Sequence, residues 1–474
     1  MAGTVEADIC VIGGGPGGLV VAAGAAQMGA ATVLIERGRM GGDCLNTGCV
    51  PSKALLAAAK AAQAMRDAGR FGIAPAEPQV DFARVMDHVQ GVIAALAPHD
   101  SVARFEGLGV RVIRAAARFA GPREVIAGNT RIRARRFVVA TGSRPAVPPI
   151  PGLAETPFLT NETVWDNRVL PRHLIVIGGG PIGAELAQAH RRLGAAVTIV
   201  EMARLLPRDD PELAAVLRRR LLAEGVALQE GARVLSVAQR DGDIVATVEA
   251  AGRRQMLAGS HLLVAAGRLP NVEGLDLDKA GIRAGKGGIA TDGRLRSSNP
   301  RVYAIGDVTG RQQFTHVAAH HAGIVLRNAL FRLPARVEER AIPWVTYTDP
   351  ELAHVGLTEA AAGAAGHSVE ALRFHLAGND RANAERATEG LIKVVATRRG
   401  RVLGASIAAA NAGELILPWV LAIREKRTVK ALASAIAPYP TLSEISKSAA
   451  GSFFTPKLFA DRTRRLVRLL ARFG

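Results

Sequence analysis

The stretch Asp8-Ile9-Cys10-Val11-Ile12-Gly13-Gly14-Gly15-Pro16-Gly17-Gly18 has a counterpart 165 residues later, Leu174-Ile175-Val176-Ile177-Gly178-Gly179-Gly180-Pro181-Ile182-Gly183. In each copy a short apolar run predicts a buried strand, and the glycines turn it into an Ala-rich helical stretch. Each helix reaches a glycine (Gly29, Gly194) and then a second β-rich run, Thr32–Ile35 or Val197–Val200. Both runs end in an acid, Glu36 or Glu201, 18 residues after the third glycine. This is the full context of a βαβ dinucleotide fingerprint. Gly13 and Gly178 make the tight turn, Gly15 and Gly180 let backbone approach a pyrophosphate, and Gly18 and Gly183 pack helix on strand. The helix N-terminus faces the phosphates, and the acid reaches ribose hydroxyls. One such loop alone can be an ordinary turn, but two complete copies at one spacing predict two dinucleotide sites. At the second, Glu201 favours NADH because a carboxylate repels the 2′-phosphate of NADPH, while Arg204 keeps NADPH open.

Outward from the repeats, the fold class is α/β: two Rossmann-like dinucleotide-binding domains followed by a C-terminal α+β domain. Four prolines in Pro145–Pro151 mark a linker, and Ala265–Asn271 closes the second repeat after a strand at Leu262–Ala265. A further strand, Val302–Ile305, ends at Gly306-Asp307. Beyond Ala341, strands at Leu391–Ala396 and Val402–Ile407 and a helix over Glu414–Ile423 are expected. The expected domains are 1–148, 149–270, a central segment 271–340, and 341–474.

The 474 residues suffice for roughly three domains. Hydrophobic content of 49% with 22% charged residues excludes wholesale disorder. The most apolar stretch, Leu403–Ile423, is broken by Ser406, Asn411, Glu414 and Pro418, so no transmembrane helix is expected. The strand beginning near Ala7 leaves no room for a signal peptide, which makes the cytosol the expected compartment. Of 60 basic residues only nine are lysine, and the arginines are scattered among acids. A net charge of +18 distributed in this way does not indicate nucleic-acid binding. The tail Lys457–Gly474 differs, with Arg462, Arg464, Arg465, Arg468 and Arg472 beside Phe459, Leu466, Leu469, Leu470 and Phe473 at helical spacing. Such a helix either packs on its own dimer or makes weak contact with an anionic membrane surface.

Three cysteines cannot form a disulfide framework. Cys10 lies in an apolar run and is expected in the core. Cys44 and Cys49 share the Gly-rich segment Gly41–Lys53, without the nearby histidines a zinc site would need. A redox pair is expected, with Gly48 supplying the distortion that brings the sulfurs together. Lys53 and a helix N-terminus lower thiol pKa, and Asp43 is positioned to cap that helix.

With Gly13–Gly18, Gly42–Lys53, Ala140-Thr141-Gly142, Gly178–Glu185, Ala304–Asp307 and Tyr347–Glu359 in place, the chain resembles, nearly end to end, the class I flavoprotein disulfide oxidoreductases. Dihydrolipoamide dehydrogenase, glutathione reductase and mercuric reductase belong to that family. The resemblance implies FAD held by Gly13, Gly15, Gly18, Glu36, Gly42, Lys53, Thr141, Gly142 and Asp307, the last supplied by the central segment. It implies a nicotinamide cofactor at Gly178, Gly180, Gly183, Glu201 and Gly267. Cys49 would be the thiol against the flavin, Cys44 the thiol that meets substrate, and Lys53 the partner of Glu185. The C-terminal region would be the interface domain of a homodimer, and the substrate a small-molecule or protein-bound disulfide.

Disulfide-reducing relatives end in His-Pro-Thr with a glutamate four residues after the proline. Here the stretch is Tyr439-Pro440-Thr441-Leu442-Ser443-Glu444, with tyrosine in the histidine's place. Histidine takes and gives a proton near neutrality, whereas tyrosine mainly gives one. Tyr439 and Glu444 are therefore the expected proton-handling pair, suited better to reducing a disulfide than to oxidising a dithiol. His316, His320 and His321 are alternative bases. Mercuric ion reduction, membrane-surface quinone reduction and a redox-sensor role remain open. The first is disfavoured by the absence of a C-terminal cysteine pair and of an N-terminal metal-binding extension.

Overall fold

A computed structural model describes residues 3–473. Met1 and Ala2 of the first expected domain, and Gly474 of the expected tail helix, lie outside them. The chain divides into two compact units. The first contains Met1–Gln63, Glu77–Met202 and Gly231–Val337; the second contains Ala64–Ala76, Ala203–Glu230 and Glu338–Gly474.

In the first unit, β1 (Thr4–Ile12) is flanked in parallel by β2 (Thr32–Glu36) and by the strand Thr130–Val139. Strands lie on both sides of β1. Ile9 and Val11 pack on residues of the helices Pro16–Gln27 and Thr315–Ala329, and Cys10 on the other face packs with Phe119, Val125 and Leu277. This explains why all three are fully buried and why the run is apolar without alternation. Helix α1 (Pro16–Gln27) follows, with Pro16 in its first turn, where a missing N–H costs nothing. The strand Val302–Ala304 lies parallel to the far side of Thr130–Val139, bringing Gly306-Asp307 to the same end of the sheet as Thr141. The second repeat has the same build. His173–Ile177 lies between Ala196–Glu201 and His261–Val264, all parallel, and leads into the helix Pro181–Arg192.

The second unit is an antiparallel sheet in the order Pro343–Thr346, Glu351–Gly356, Val402–Ala409, Leu391–Thr397, Val369–His375. Its core includes Trp419, whose indole N–H donates to Ser446 Oγ at 3.0 Å. The buried Lys393 ammonium meets Asp210 at 2.9 Å, Glu359 at 2.8 Å and Glu212 at 3.2 Å, so its charge is fully compensated. The single helix expected over Glu414–Ile423 is two, Ala412–Leu415 and Leu417–Arg424. Pro418 cannot donate to the preceding turn, so it opens a new helix instead of continuing the old one. The tail is likewise split, into Thr455–Leu458 and Asp461–Leu470, with Leu466, Leu469, Leu470 and Phe473 exposed in the single chain. No helix among the described residues is long and apolar enough to cross a membrane.

Candidate functional site

The two glycine loops share one stereochemistry. Gly13 and Gly178 both adopt φ of 111°, where a Cβ would lie 2.3 Å from the Ala140 carbonyl and 2.4 Å from that of Ala265. A Cβ on Gly18 or Gly183 would stand 1.9 or 2.0 Å from the carbonyl oxygen of the first glycine. Only glycine fits these positions. Gly180 has nothing within 4 Å of its Cβ position, and Gly15 only the Gly42 Cα at 3.9 Å, so the backbone is open to a ligand at both middle glycines. Neither helix N-terminus carries a side-chain cap, which leaves the first-turn N–H groups without a side-chain acceptor. The closing acids act alike too: Glu36 accepts from the Gly14 N–H at 2.5 Å, and Glu201 from the Gly179 N–H at 2.7 Å. In the second unit, the Arg204 guanidinium donates to the carbonyls of Leu206, Pro207 and Asp209 at 3.2, 3.1 and 2.6 Å.

Cys44 sits in the short α2 (Gly42–Asn46), and Cys49 opens α3 (Cys49–Asp67), with the break at Thr47-Gly48. The interruption lets two cysteines five residues apart hydrogen-bond to one another. The resulting pair is polarised. The Cys44 hydrogen bond holds the Cys49 thiol down at about 6, helped by the Thr315 hydroxyl and the Lys53 ammonium against burial. Cys44 is pushed far up by the same hydrogen bond and by burial. The reduced pair at neutral pH therefore carries a thiolate on Cys49 and the proton on Cys44. Cys10 stays apart, buried in β1 with its thiol pushed up by desolvation.

Four residues on from Cys49, the Lys53 Nζ meets Glu185 Oε2 at 2.7 Å, with Glu185 only 5% exposed. The structure thus brings Cys44, Cys49, Lys53 and Glu185 into one site. It adds Thr315, whose hydroxyl lies 3.4 Å from the Cys49 sulfur at the start of the helix Thr315–Ala329. Sequence reasoning reached His316 and passed over its neighbour. Replacing Thr315 by valine removes one hydrogen bond to the thiolate, so the Cys49 pKa should rise from about 6 to about 7. The pH dependence of Cys49 alkylation in the reduced enzyme measures this, and an unmoved profile would remove Thr315 from the site.

Asp43 does not cap α2. Its carboxylate pairs with Arg268 at 2.9 Å and accepts from Thr47 and Asn161. Arg268, one residue after the φ 117° of Gly267, is nearly buried and also approaches Asp307 at 3.8 Å. Asp307 accepts from Ser143 Oγ at 2.6 Å, and burial raises its carboxyl above the usual range. Thr141 and Gly142 are held by Asn271: the Thr141 hydroxyl donates to its carbonyl at 2.7 Å, and its backbone N–H reaches the Gly142 carbonyl at 2.9 Å. The FAD-side residues taken from the resemblance are thus braced by Arg268, Ser143 and Asn271. The sequence signal for Arg268 and Ser143 was adjacency to Gly267 and Gly142, and Asn271 stood only as the end of the segment Ala265–Asn271.

Tyr439 and Glu444 lie in the second unit. Tyr439 is 71% exposed and donates to Asp380 Oδ2 at 2.8 Å; that hydrogen bond and the Asp380 charge hold its phenol above the usual tyrosine value. Glu444 accepts from the Thr441 N–H at 3.4 Å. Among the alternative bases, His321 is buried, accepts from the Gly306 N–H at 3.2 Å, and is depressed to about 4 by burial, so it packs as a neutral ring. His316 is exposed and stacks on Phe314.

Residues 7–322 match the pyridine nucleotide-disulphide oxidoreductase family, and residues 342–450 match its dimerisation domain. The chain is 38% identical over 458 residues to a mercuric reductase of Streptomyces lividans, covering 94% of this chain and 96% of that one. It is 38% identical over 449 residues to a dihydrolipoyl dehydrogenase of Thermus scotoductus, covering 92% and 95%. LpdA from Mycobacterium tuberculosis superposes with a TM-score of 0.86 at 30% identity, over 94% of this chain and 99% of that one. The HOCl-induced flavoprotein disulfide reductase RclA from Escherichia coli superposes with a TM-score of 0.83 at 27% identity, covering 94% and 99%. Both glycine repeats and the C-terminal sheet fall inside these matches, and the chain belongs to the pyridine nucleotide-disulphide oxidoreductases, enzymes that use FAD and NAD(P)H.

Proposed function

We propose that this enzyme uses NADH to reduce a disulfide through Cys44 and Cys49, acting as a homodimer whose active sites draw on both subunits. The polarised cysteine pair is the observation that carries the reading. The first site suits FAD: Gly15 leaves backbone open at an uncapped helix N-terminus, and Glu36 and Asp307 offer acceptors for sugar and ribityl hydroxyls. When bound, FAD relays two electrons between the nicotinamide and the dithiol.

From there the chain's own groups account for the chemistry. Cys44 attacks the substrate disulfide as its proton moves to the adjacent Cys49 thiolate, forming a mixed disulfide and releasing one thiolate. Cys49 gives that proton to the released thiolate and, deprotonated again, attacks the Cys44 sulfur, which frees the second thiolate and closes the Cys44–Cys49 disulfide. Tyr439, oriented by Asp380, donates a proton to a leaving thiolate. Lys53, fixed by Glu185, keeps positive charge beside the thiolate. NADH and one proton plus the disulfide thus yield NAD⁺ and two thiols.

NADH is preferred because Glu201 stands where a 2′-phosphate would approach, and Arg204 is committed to backbone carbonyls of its own loop. A second reading, mercuric ion as acceptor at the same dithiol, is favoured by the likeness to mercuric reductases. Initial rates with NADH or NADPH, and with lipoamide or mercuric ion, in wild type and Glu201→Ala test both points. Lipoamide should be the better acceptor, and Glu201→Ala should narrow the NADH preference about tenfold. Faster turnover of mercuric ion than of any disulfide would install the second reading. A wild-type preference for NADPH would refute the role of Glu201.

A further inference from the structure

The first unit contains a polar cavity of about 240 Å³ whose lining includes Arg136, Arg294, Arg296, Arg332, Tyr303 and Asn328. It is separate from the dinucleotide loops. Arg136 lies in the strand Thr130–Val139, five residues before Thr141, or roughly 16 Å of extended chain. None of these side chains takes part in the dithiol or glycine-loop sites described above.

The charge balance of this cavity is unusual. Arg296 is paired with Asp292 at 2.8 Å, through the one carboxylate that a lining arginine contacts among the described residues. The side chains of Arg294 and Arg332 make no ion pair or hydrogen bond among those residues. Arg136 donates through Nη1 to the Arg135 carbonyl at 2.9 Å, and its buried Nε has no hydrogen-bond partner. A buried guanidinium N–H without an acceptor is costly, and gathering three further guanidinium groups around it adds repulsion. Tyr303, 3% exposed, keeps a neutral hydroxyl: burial holds its phenol above the usual value despite Arg136 and Arg296 beside it. The Asn328 amide donates to the Ala335 carbonyl at 2.8 Å and so fixes the loop that carries Arg332.

Four guanidinium forks, with the Tyr303 hydroxyl and the Asn328 amide beside them, form a strongly cationic lining dominated by donors, which calls for an anion with several acceptor oxygens. The volume is below the range of drug-sized ligand pockets, which excludes a dinucleotide and suits one or two phosphoryl groups. We propose that this cavity binds a small, multiply charged phosphate, either free or as the phosphoryl end of a phosphorylated metabolite, at a site distinct from both dinucleotide sites.

Isothermal titration of the holoenzyme, at constant ionic strength, with inorganic phosphate, pyrophosphate and a sugar monophosphate tests the proposal and separates the free ion from the ester. Saturable binding of at least one probe, weakened about tenfold or more in Arg294→Ala/Arg332→Ala with NADH turnover unchanged, is the expected result. A second measurement needs no variant. The bound probe should protect Arg294 and Arg332, but not the exposed Arg398, from phenylglyoxal, as read by peptide mapping. Either failure of all three probes to bind, or undiminished affinity in the double variant together with unprotected arginines, would overturn it.

Discussion

Cys49→Ser should lower disulfide turnover by on the order of 10⁴-fold or more, the scale expected when an essential nucleophile is removed. Cys44→Ser should have a similar effect on turnover for a different reason. Without Cys44 no mixed disulfide forms, yet Cys49 keeps Thr315 and Lys53 beside it. The two variants therefore separate in the absorbance of the holoenzyme. Cys44→Ser should show a long-wavelength thiolate–flavin band without added reductant, and Cys49→Ser should show none. The Cys44 thiol is the leading cause of the low Cys49 pKa, so in Cys44→Ser this band should titrate above about 6. A band in Cys49→Ser and none in Cys44→Ser would reverse the assignment of the two thiols.

Tyr439→His should raise dihydrolipoamide oxidation at pH 7 by about 10²-fold, the lower end of general-base effects. Dithiol oxidation needs a group that accepts a proton, and Tyr439 is a weak candidate twice over. It is a phenol, and Asp380 holds its pKa above the usual value by stabilising the protonated form. The sign follows directly. In wild type, dithiol oxidation should climb as pH rises towards and past 10, whereas disulfide reduction, which needs the phenol protonated, should not. Asp380→Asn removes the charge that raises the phenol and should move the rising limb to lower pH. If Tyr439→His leaves dithiol oxidation at pH 7 unchanged, proton transfer is not what separates this enzyme from the histidine-bearing members of its family.

The repeat was legible because everything it needs is local. The strand periodicity, the glycines at Gly13, Gly15 and Gly18, and the acid at Glu36 lie within one βαβ unit, and the second copy reproduces the same steric demands down to the φ of its first glycine. The cysteine pair was legible for the same reason, since Gly48 stands between its two members. Arg268 was not. Asp43 looked like a helix cap because Asp at a helix start usually is one, and nothing near it announces a guanidinium contributed from the far side of the second repeat. Thr315 was missed because a lone threonine at the start of a helix carries no signal until the fold sets it against a sulfur. The splitting of Glu414–Ile423 at Pro418 was readable in principle, since proline favours the first turn of a helix over its middle.

Anaerobic titration of the oxidised holoenzyme with NADH, followed by alkylation under native conditions and peptide mapping, tests the central claim most directly. Two new alkylated thiols per chain should appear as NADH is consumed, at Cys44 and Cys49, with Cys10 unchanged in its buried strand. Consumption of NADH without new thiols at Cys44 and Cys49 would show that electrons leave by another route, and would contradict the account.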